Sequence, residues 1–215
     1  EKIQTVENYK YLGDIITRNG SNKNNIESRM KKIKQSTATI IACGSCDIMK
    51  QVEIQTILKL HEVVNISALL MNSESWILNK TEAMNLERSE LWALKRFLNV
   101  PRTTPSAAIR FVTQTVYTKI RVQIKQLLYL QKILSRDPKH RSNHLLQEME
   151  RQNIGWAKQI QTTQEEFGLT EDWGTIRRKP TKIWKYEVMQ AAEKINTQTL
   201  INECFKNNNG DRHEK

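Results

Sequence analysis

The cysteines and histidines are the residues whose spacing first suggests chemistry. Cys43 and Cys46 have the spacing of half a zinc site, and His140 and His144 are separated as two ligands on one helical face would be. No second cysteine pair lies at the distance that a zinc finger needs, and a thioredoxin-like site would require a strand–helix–strand pattern around Cys43. We therefore predict no metal site in this chain.

The number of cysteines indicates the redox environment. Three cysteines, an odd number in 215 residues, are a poor basis for a disulfide framework. This usage is typical of a reducing compartment. We expect an intracellular protein that is cytoplasmic, nuclear or both.

The acidic residues give little support for catalysis. Glu165-Glu166 and Glu171-Asp172 fall beside predicted helix ends, without an accompanying histidine or a nuclease-like lysine pattern, so we interpret them as helix-start charges. No Asp-Asp pair occurs anywhere in the chain. Two-metal nucleotidyl transfer depends on paired metal-binding carboxylates. We therefore expect the chain to be catalytically inactive on its own.

The charge balance points to an anionic partner. Lysine and arginine total 34 against 23 aspartates and glutamates, which gives a net charge of +11 and an isoelectric point near 9.6. The cations are spread along the chain, so the charge belongs to the folded body. The longest apolar stretch, residues 63–71, is interrupted by Asn65 and Ser67 and is too short to span a bilayer. We predict a nucleic-acid partner and no membrane, although the charge is also compatible with a merely soluble surface.

The N-terminal region combines a β-pattern with a basic helix. The run YKYLGDII at residues 9–16 is followed by Arg18-Asn19-Gly20, and Asn-Gly is a common hairpin turn. After Gly20, apolar residues recur with the spacing that is typical of a helix. Gly13, inside the predicted strand, indicates either the close approach of another backbone or an ordinary hairpin glycine.

Two further motifs follow in a fixed order, and together with the first they suggest a family. They are SESWIL at residues 73–78 and LKRFLNVP at residues 94–101. In this order the three motifs resemble the region downstream of the polymerase active site in non-LTR (LINE-like) retrotransposon reverse transcriptases. The resemblance covers residues 6–101 and is looser to residue 173. Residues 67–72 depart from the Leu-Tyr-Gly run that the family usually has before the tryptophan motif.

The resemblance implies that this chain binds nucleic acid and does not catalyse a reaction. This chain would be the primer-grip hairpin, thumb and connector of an RNA-directed DNA polymerase, and it would clamp the template-primer duplex through its backbone. Mg²⁺ would be bound in a palm elsewhere in a longer polypeptide, which would be the second partner, and this chain would hold no cofactor. The alternative is a helical protein-interaction or scaffold module whose basic charge is incidental.

The candidate nucleic-acid-binding residues fall into four groups. In the primer-grip hairpin that the resemblance implies, Tyr11, Leu12 and Gly13 would approach the primer backbone. The basic candidates are Arg29, Lys31 and Lys34 on the first helix, Arg121 and Lys125 on a long central helix, and Arg177 and Arg178 near Trp184. Such contacts would position a duplex without reading its sequence. Trp184 is either a stacking platform among cations or a core residue, because it shares a helical face with Val188.

The apolar periodicity predicts the architecture. Almost everything after Gly20 has apolar residues three and four positions apart, which is typical of amphipathic helices. We therefore predict a mostly α fold, with a short N-terminal β-hairpin followed by a helical thumb-like bundle and a second helical unit. The expected divisions are a hairpin at 1–20, a thumb-like unit at 21–101, a connector unit at 105–205 after the linker Pro101–Pro105, and a flexible tail at 206–215.

Overall fold

The computed structural model describes residues 6–11, 13–43 and 52–210, and over these residues it is mostly helical with one short antiparallel hairpin. The predicted fold class is confirmed. The strands are β1 (Asn8–Tyr11) and β2 (Asp14–Thr17). The helices are α1 (Lys23–Cys43), α2 (Ile54–Leu60), α3 (Ser67–Leu69), α4 (Lys80–Phe97), α5 (Ser106–Thr113), α6 (Thr118–Leu134), α7 (Arg141–Gln152), α8 (Gly155–Glu166), α9 (Trp173–Arg178) and α10 (Thr181–Gly210). No helix of the described part of the chain has the length and apolarity needed to cross a membrane.

The hairpin turn lies earlier than predicted. Tyr9 pairs with Ile16 and Tyr11 with Asp14, so the turn of the hairpin lies between Tyr11 and Asp14. Gly13 has φ +91°, a conformation that is costly for residues with a Cβ. The Asn19-Gly20 pair instead follows β2, where the Gly20 amide donates to the Thr17 carbonyl at 3.0 Å before α1 begins. The predicted hairpin is thus present, but the predicted position of its turn was wrong.

The chain divides into two compact units, and unit 1 comprises residues 1–72 and 78–113. Its core is formed where α1 packs on α4, through Ile26 and Ile33 of α1 and Leu86 and Leu94 of α4. Between α2 and α3 the helix widens into a π-helical segment, His61–Ile66. A capping box starts α4: the Asn79 side chain accepts from the Glu82 backbone amide, and the Glu82 carboxylate accepts from the Asn79 backbone amide.

The end of unit 1 differs from the predicted boundary. The Pro101–Pro105 linker does separate α4 from α5, but α5 still belongs to unit 1. The reason is an ion pair that local sequence could not reveal, in which Arg110 of α5 binds Glu87 and Glu90 of α4. The chain changes unit at position 113 and not in the proline-rich linker.

Unit 2 comprises residues 73–77 and 114–215. Its core centres on α6, with Leu127 and Leu130 fully buried together with Ile160 and Trp184. The tryptophan motif begins with a 3-10 turn over Ser73–Ser75 that leads to the buried Trp76.

Two side chains of unit 2 hold the tryptophan motif in place. Gln126 donates to the Trp76 carbonyl at 2.7 Å, and the Trp156 indole donates to the Glu74 carbonyl at 2.8 Å. The last helix, α10, continues to Gly210, into the segment 206–215 that was predicted as a flexible tail.

Candidate nucleic-acid interface

Asp14, at the start of β2, anchors the hairpin to the rest of unit 1. Its Oδ1 accepts from Arg29 Nη2 at 2.5 Å and from Asn25 Nδ2 at 3.1 Å, both on α1. Its Oδ2 accepts from the side-chain amide nitrogen (Nδ2) of Asn72, 58 positions away. A single carboxylate therefore fixes the tight turn of the hairpin against two other parts of the unit.

The electrostatics of this anchor favour the ionised carboxylate. Burial alone raises the pKa of Asp14, but the hydrogen bonds from Asn72, Arg29 and Asn25 and the charge of Arg29 outweigh it, so the pKa lies below its ordinary value. Sequence reasoning gave Asp14 no role. The available signal was a carboxylate next to a turn glycine, followed by an arginine at the edge of an apolar helix face.

Arg29 is a structural residue and not a surface cation. Its side chain is 2% exposed, and its guanidinium lies between Asp14 and the Met71 sulfur, 3.6 Å from Nη1. The prediction that Arg29 contacts phosphate is therefore corrected, because a buried guanidinium that already binds a carboxylate is not presented to a ligand. Arg29 therefore does not join Lys34 and Tyr11 on one exposed surface.

The remaining candidates of unit 1 are at the surface. Tyr9 and Tyr11 of β1 are 57% and 55% exposed. Lys31 and Lys34 are also exposed, and helical geometry puts them 200° and 140° around α1 from Arg29. Unit 1 thus offers two exposed aromatic rings on its hairpin and two exposed cations on the outward side of α1.

Of the two interpretations of Gly13 left open by the sequence, the structure fits the ordinary hairpin glycine. Its positive φ requires a glycine-like conformation, and a Cβ at this position would lie 3.6 Å from the Met71 side chain. The glycine is thus explained by the turn and does not by itself indicate an approaching ligand. Leu12, the third candidate in this segment, lies outside the described residues.

The candidates on α6 take part in contacts within unit 2. Arg121 is half-buried, and its Nε donates to the Val116 carbonyl at 3.1 Å. Lys125 has its Nζ 4.0 Å from a Glu74 carboxylate oxygen, and 42% of its side chain is exposed. Both side chains therefore help to hold their own unit, and Lys125 remains partly accessible.

Of the two candidates near Trp184, Arg177 stabilises the fold and Arg178 lies at the surface. Arg177 Nε donates to the Leu134 carbonyl at 2.8 Å, which ties α9 to the end of α6, whereas Arg178 is exposed. Trp184 is completely buried and its indole donates to the Leu127 carbonyl at 3.0 Å. Trp184 is thus a core residue and not a stacking platform.

The residues with metal-ligand spacing do not form a site in the described structure. His140 caps α7, its Nδ1 accepting from the Ser142 amide at 3.2 Å. No three His, Cys, Asp or Glu side chains among the described residues lie together as metal ligands. Cys46 lies outside these residues, and the side chain of Cys43 is not described.

Comparison with known proteins identifies no relative. No family model matches the sequence, and neither the curated proteins nor the solved structures contain a significant match.

Removing Asp14 tests the anchor. Asp14→Ala leaves the Arg29 guanidinium buried without its counter-ion, and we expect the free energy of unfolding to fall by about 3 kcal/mol in urea titrations. Because the folded-state pKa of Asp14 is depressed, its stabilisation is present above the unfolded pKa and is lost as pH falls through the folded pKa. The parent chain should therefore lose stability in acid, below about pH 4, more steeply than the variant does.

A matched control breaks the exposed ion pair in the same hairpin. Glu7→Ala removes the partner of Arg18, 3.1 Å away, and both side chains are mostly exposed. We expect a loss below about 1 kcal/mol. If Asp14→Ala destabilises no more than Glu7→Ala, the anchor is not what holds the hairpin.

Proposed function

We propose that this chain is a non-catalytic part of a retrotransposon-type RNA-directed DNA polymerase that clamps the template-primer duplex through its phosphate backbone. The hairpin would hold the end of the primer, and the outward side of α1 would contact phosphates. The catalytic metal ions would be bound elsewhere in the same polypeptide. The role of this chain is then positioning, which lowers the entropic part of the barrier.

The observation that best supports the proposal is a hairpin that is anchored yet exposed. Asp14 fixes one end of it through Arg29 and Asn72, while Tyr9 and Tyr11 remain more than half exposed. A surface that holds a nucleic-acid end needs both properties, since a mobile aromatic side chain loses more entropy on binding. The order of the three sequence motifs provides the second, independent support.

The charge of unit 1 also fits contacts that position without reading sequence. Lys31 and Lys34 project from α1, and Lys23 lies on the same side of the helix. Glu27 is also on this side, so the net charge there is smaller than the lysines alone suggest. Such a surface suits a duplex of any sequence and predicts binding that weakens strongly with salt.

A salt titration on a primed RNA–DNA duplex tests this function. With about four or five phosphates neutralised, log K should fall against log salt with a slope of about −4, and Lys31→Ala or Lys34→Ala should each reduce the slope by about one. Tyr11→Ala should lower affinity by about 1–3 kcal/mol at every salt concentration, since stacking releases no counter-ions. Gly13→Val is a poor probe here, because its strained backbone would disturb the hairpin before any ligand binds.

The control is Lys158→Ala, an exposed lysine of α8 in unit 2, which should leave the slope unchanged. Binding that is insensitive to salt, or three unit 1 variants that bind like the parent, would favour the protein-interaction alternative. That alternative has its own support in α5, where Phe111 and Val112 are 70% and 64% exposed.

A further inference from the structure

We propose that unit 2 carries a second binding surface for a nucleic-acid backbone, at the place where the α6–α7 loop meets the junction of α9 and α10. We call it the junction surface and define it by Lys132, Lys139, Arg141, Arg178 and Lys182. Arg178 was among the site residues predicted from the sequence, Lys132 and Lys182 belong to the same two basic sequence groups, and Lys139 and Arg141 were not predicted. The surface lies entirely within unit 2 and includes none of the hairpin or α1 residues.

Two separate segments are held side by side at this place. Arg177 Nε donates to the Leu134 carbonyl at 2.8 Å, and Gln131 Nε2 donates to the Lys179 carbonyl at 2.9 Å. These bonds join residues 43 and 48 positions apart. The end of α6 and the start of α10, each with its own cations, are therefore neighbours.

The loop between α6 and α7 is itself fixed. The buried Asn143 donates through its amide to the Asp137 carbonyl at 2.8 Å and to the Arg136 carbonyl at 3.2 Å. Arg177 Nη2 also lies 3.5 Å from Asn143 Oδ1. Cations on a fixed loop lose less entropy on binding than cations on a mobile one.

The acidic residues near the junction surface are already engaged. Asp137 accepts from the Lys139 amide at 2.8 Å, and Glu171 and Glu187 both pair with Lys179, at 2.5 and 2.7 Å. Burial lowers the pKa of Lys179, but the hydrogen bonds that its ammonium donates to these two glutamates hold the pKa above its ordinary value.

Four of the five cations of the junction surface lack such partners among the described residues, and the fifth, Arg178, interacts with the charge of Asp172. All five are solvent-exposed, and within the described residues the structure gives Lys132, Lys139, Arg141 and Lys182 no carboxylate partner. This contrasts with Arg29 and Arg110, which are buried on carboxylates. The excess positive charge is thus directed outward.

The chemistry of the surface favours nucleic-acid phosphate over other polyanions. Arg141 and Arg178 provide planar guanidinium groups suited to bidentate phosphate contacts, and lysines flank them. The loop 135–140 carries no long aliphatic side chain that could insert into a lipid surface, and Ile183, beside Lys182, is 49% exposed as a single aliphatic side chain among these cations. The choice of nucleic acid as the polyanion rests on the proposed function, while the surface itself does not.

The test compares two variants of the full chain that lose the same charge. Lys132→Gln/Lys139→Gln/Arg141→Gln removes three cations of the junction surface, and Lys59→Gln/Lys80→Gln/Lys158→Gln removes three exposed lysines elsewhere. On the primed RNA–DNA duplex with a single-stranded RNA overhang, the first variant should reduce the magnitude of the salt slope by about two to three and the second by less than one. Circular dichroism should show that both are folded.

Lysine acetylation footprinting gives a direct readout. Lys132, Lys139 and Lys182 should be protected when the nucleic acid is bound, and Lys158 should not. Equal slopes for the two triple variants, or no protection of the three lysines, would overturn the inference, as would protection by acidic lipid vesicles but not by the nucleic acid. If the junction variant changes the slope while Lys31→Ala and Lys34→Ala do not, the junction surface holds and the proposed clamp on unit 1 fails.

Discussion

Arg110→Met should lower the free energy of unfolding of unit 1 by about 3–5 kcal/mol. Arg110 is 1% exposed and binds Glu87 and Glu90, the latter at 2.9 Å. Burial lowers the pKa of Arg110, but the charges of Glu90 and Glu87 keep it raised, so the cation is held by these two carboxylates. Methionine keeps much of the volume but leaves the fully buried Glu90 without its cation.

The loss of stability in Arg110→Met should also include contacts beyond the ion pair. Glu90 Oε1 lies 4.0 Å from His61 Nε2, and Asn65 Nδ2 lies 3.2 Å from His61 Nδ1 and donates to Thr37 Oγ1 at 2.9 Å. These buried polar side chains link four helical segments of unit 1. Disturbing one charge should therefore loosen several contacts together.

Urea denaturation followed by circular dichroism measures this effect, and a second substitution tests its cause. In Arg110→Met/Glu90→Leu no fully buried carboxylate is left unpaired, so most of the lost stability should return. For Arg110→Met alone the deficit should shrink as pH falls from 7 to 5, because protonation removes the orphaned charge. A single variant as destabilised as the double variant, with no pH dependence, would mean that lost packing and not charge is responsible.

Trp184→Ala should destabilise unit 2 by about 3–5 kcal/mol. The side chain is completely buried, its indole donates to Leu127 at 3.0 Å, and the Lys179 ammonium lies 5.8 Å from the ring centroid. Alanine would leave a large cavity beside α6 and would remove the hydrogen bond to the Leu127 carbonyl. Denaturation in urea followed by far-ultraviolet circular dichroism measures the loss.

The matched control lies two positions along the same helix. Tyr186 is 61% exposed, and Tyr186→Ala should change stability by less than about 0.5 kcal/mol. Trp184→Phe keeps a ring but removes the hydrogen bond. Its loss of stability should lie between those of Trp184→Ala and Tyr186→Ala. If Trp184→Ala instead leaves stability intact and weakens nucleic-acid binding, the tryptophan acts as a stacking platform after all.

The candidate interface was only partly predictable. Exposure of Tyr11, Lys31, Lys34 and Arg178 agrees with their assignment to a surface, although their contacts with nucleic acid remain predictions. Arg29 stands at the edge of an apolar helix face, where local sequence allows either burial or exposure. Arg29 is buried because it binds Asp14, and Asp14 is held in turn by Asn72. Both residues are distant from Arg29 in sequence.

The sequence by itself determined the helical fold class and many helix limits, because these depend on apolar periodicity and on residues within a few positions. The Asn79–Glu82 capping box is such a local feature. The hairpin was also predictable, but two glycine-containing turns satisfied the same local rules and only strand pairing selected Gly13.

Only the tertiary structure decided which segments belong together. Arg110 placed α5 in unit 1, Gln126 and Trp156 placed the tryptophan motif in unit 2, and Arg177 brought the cations of the junction surface together. Each of these contacts joins residues at least 20 positions apart. Their formation depends on the geometry of the packed helices, which local propensities and periodicity do not encode.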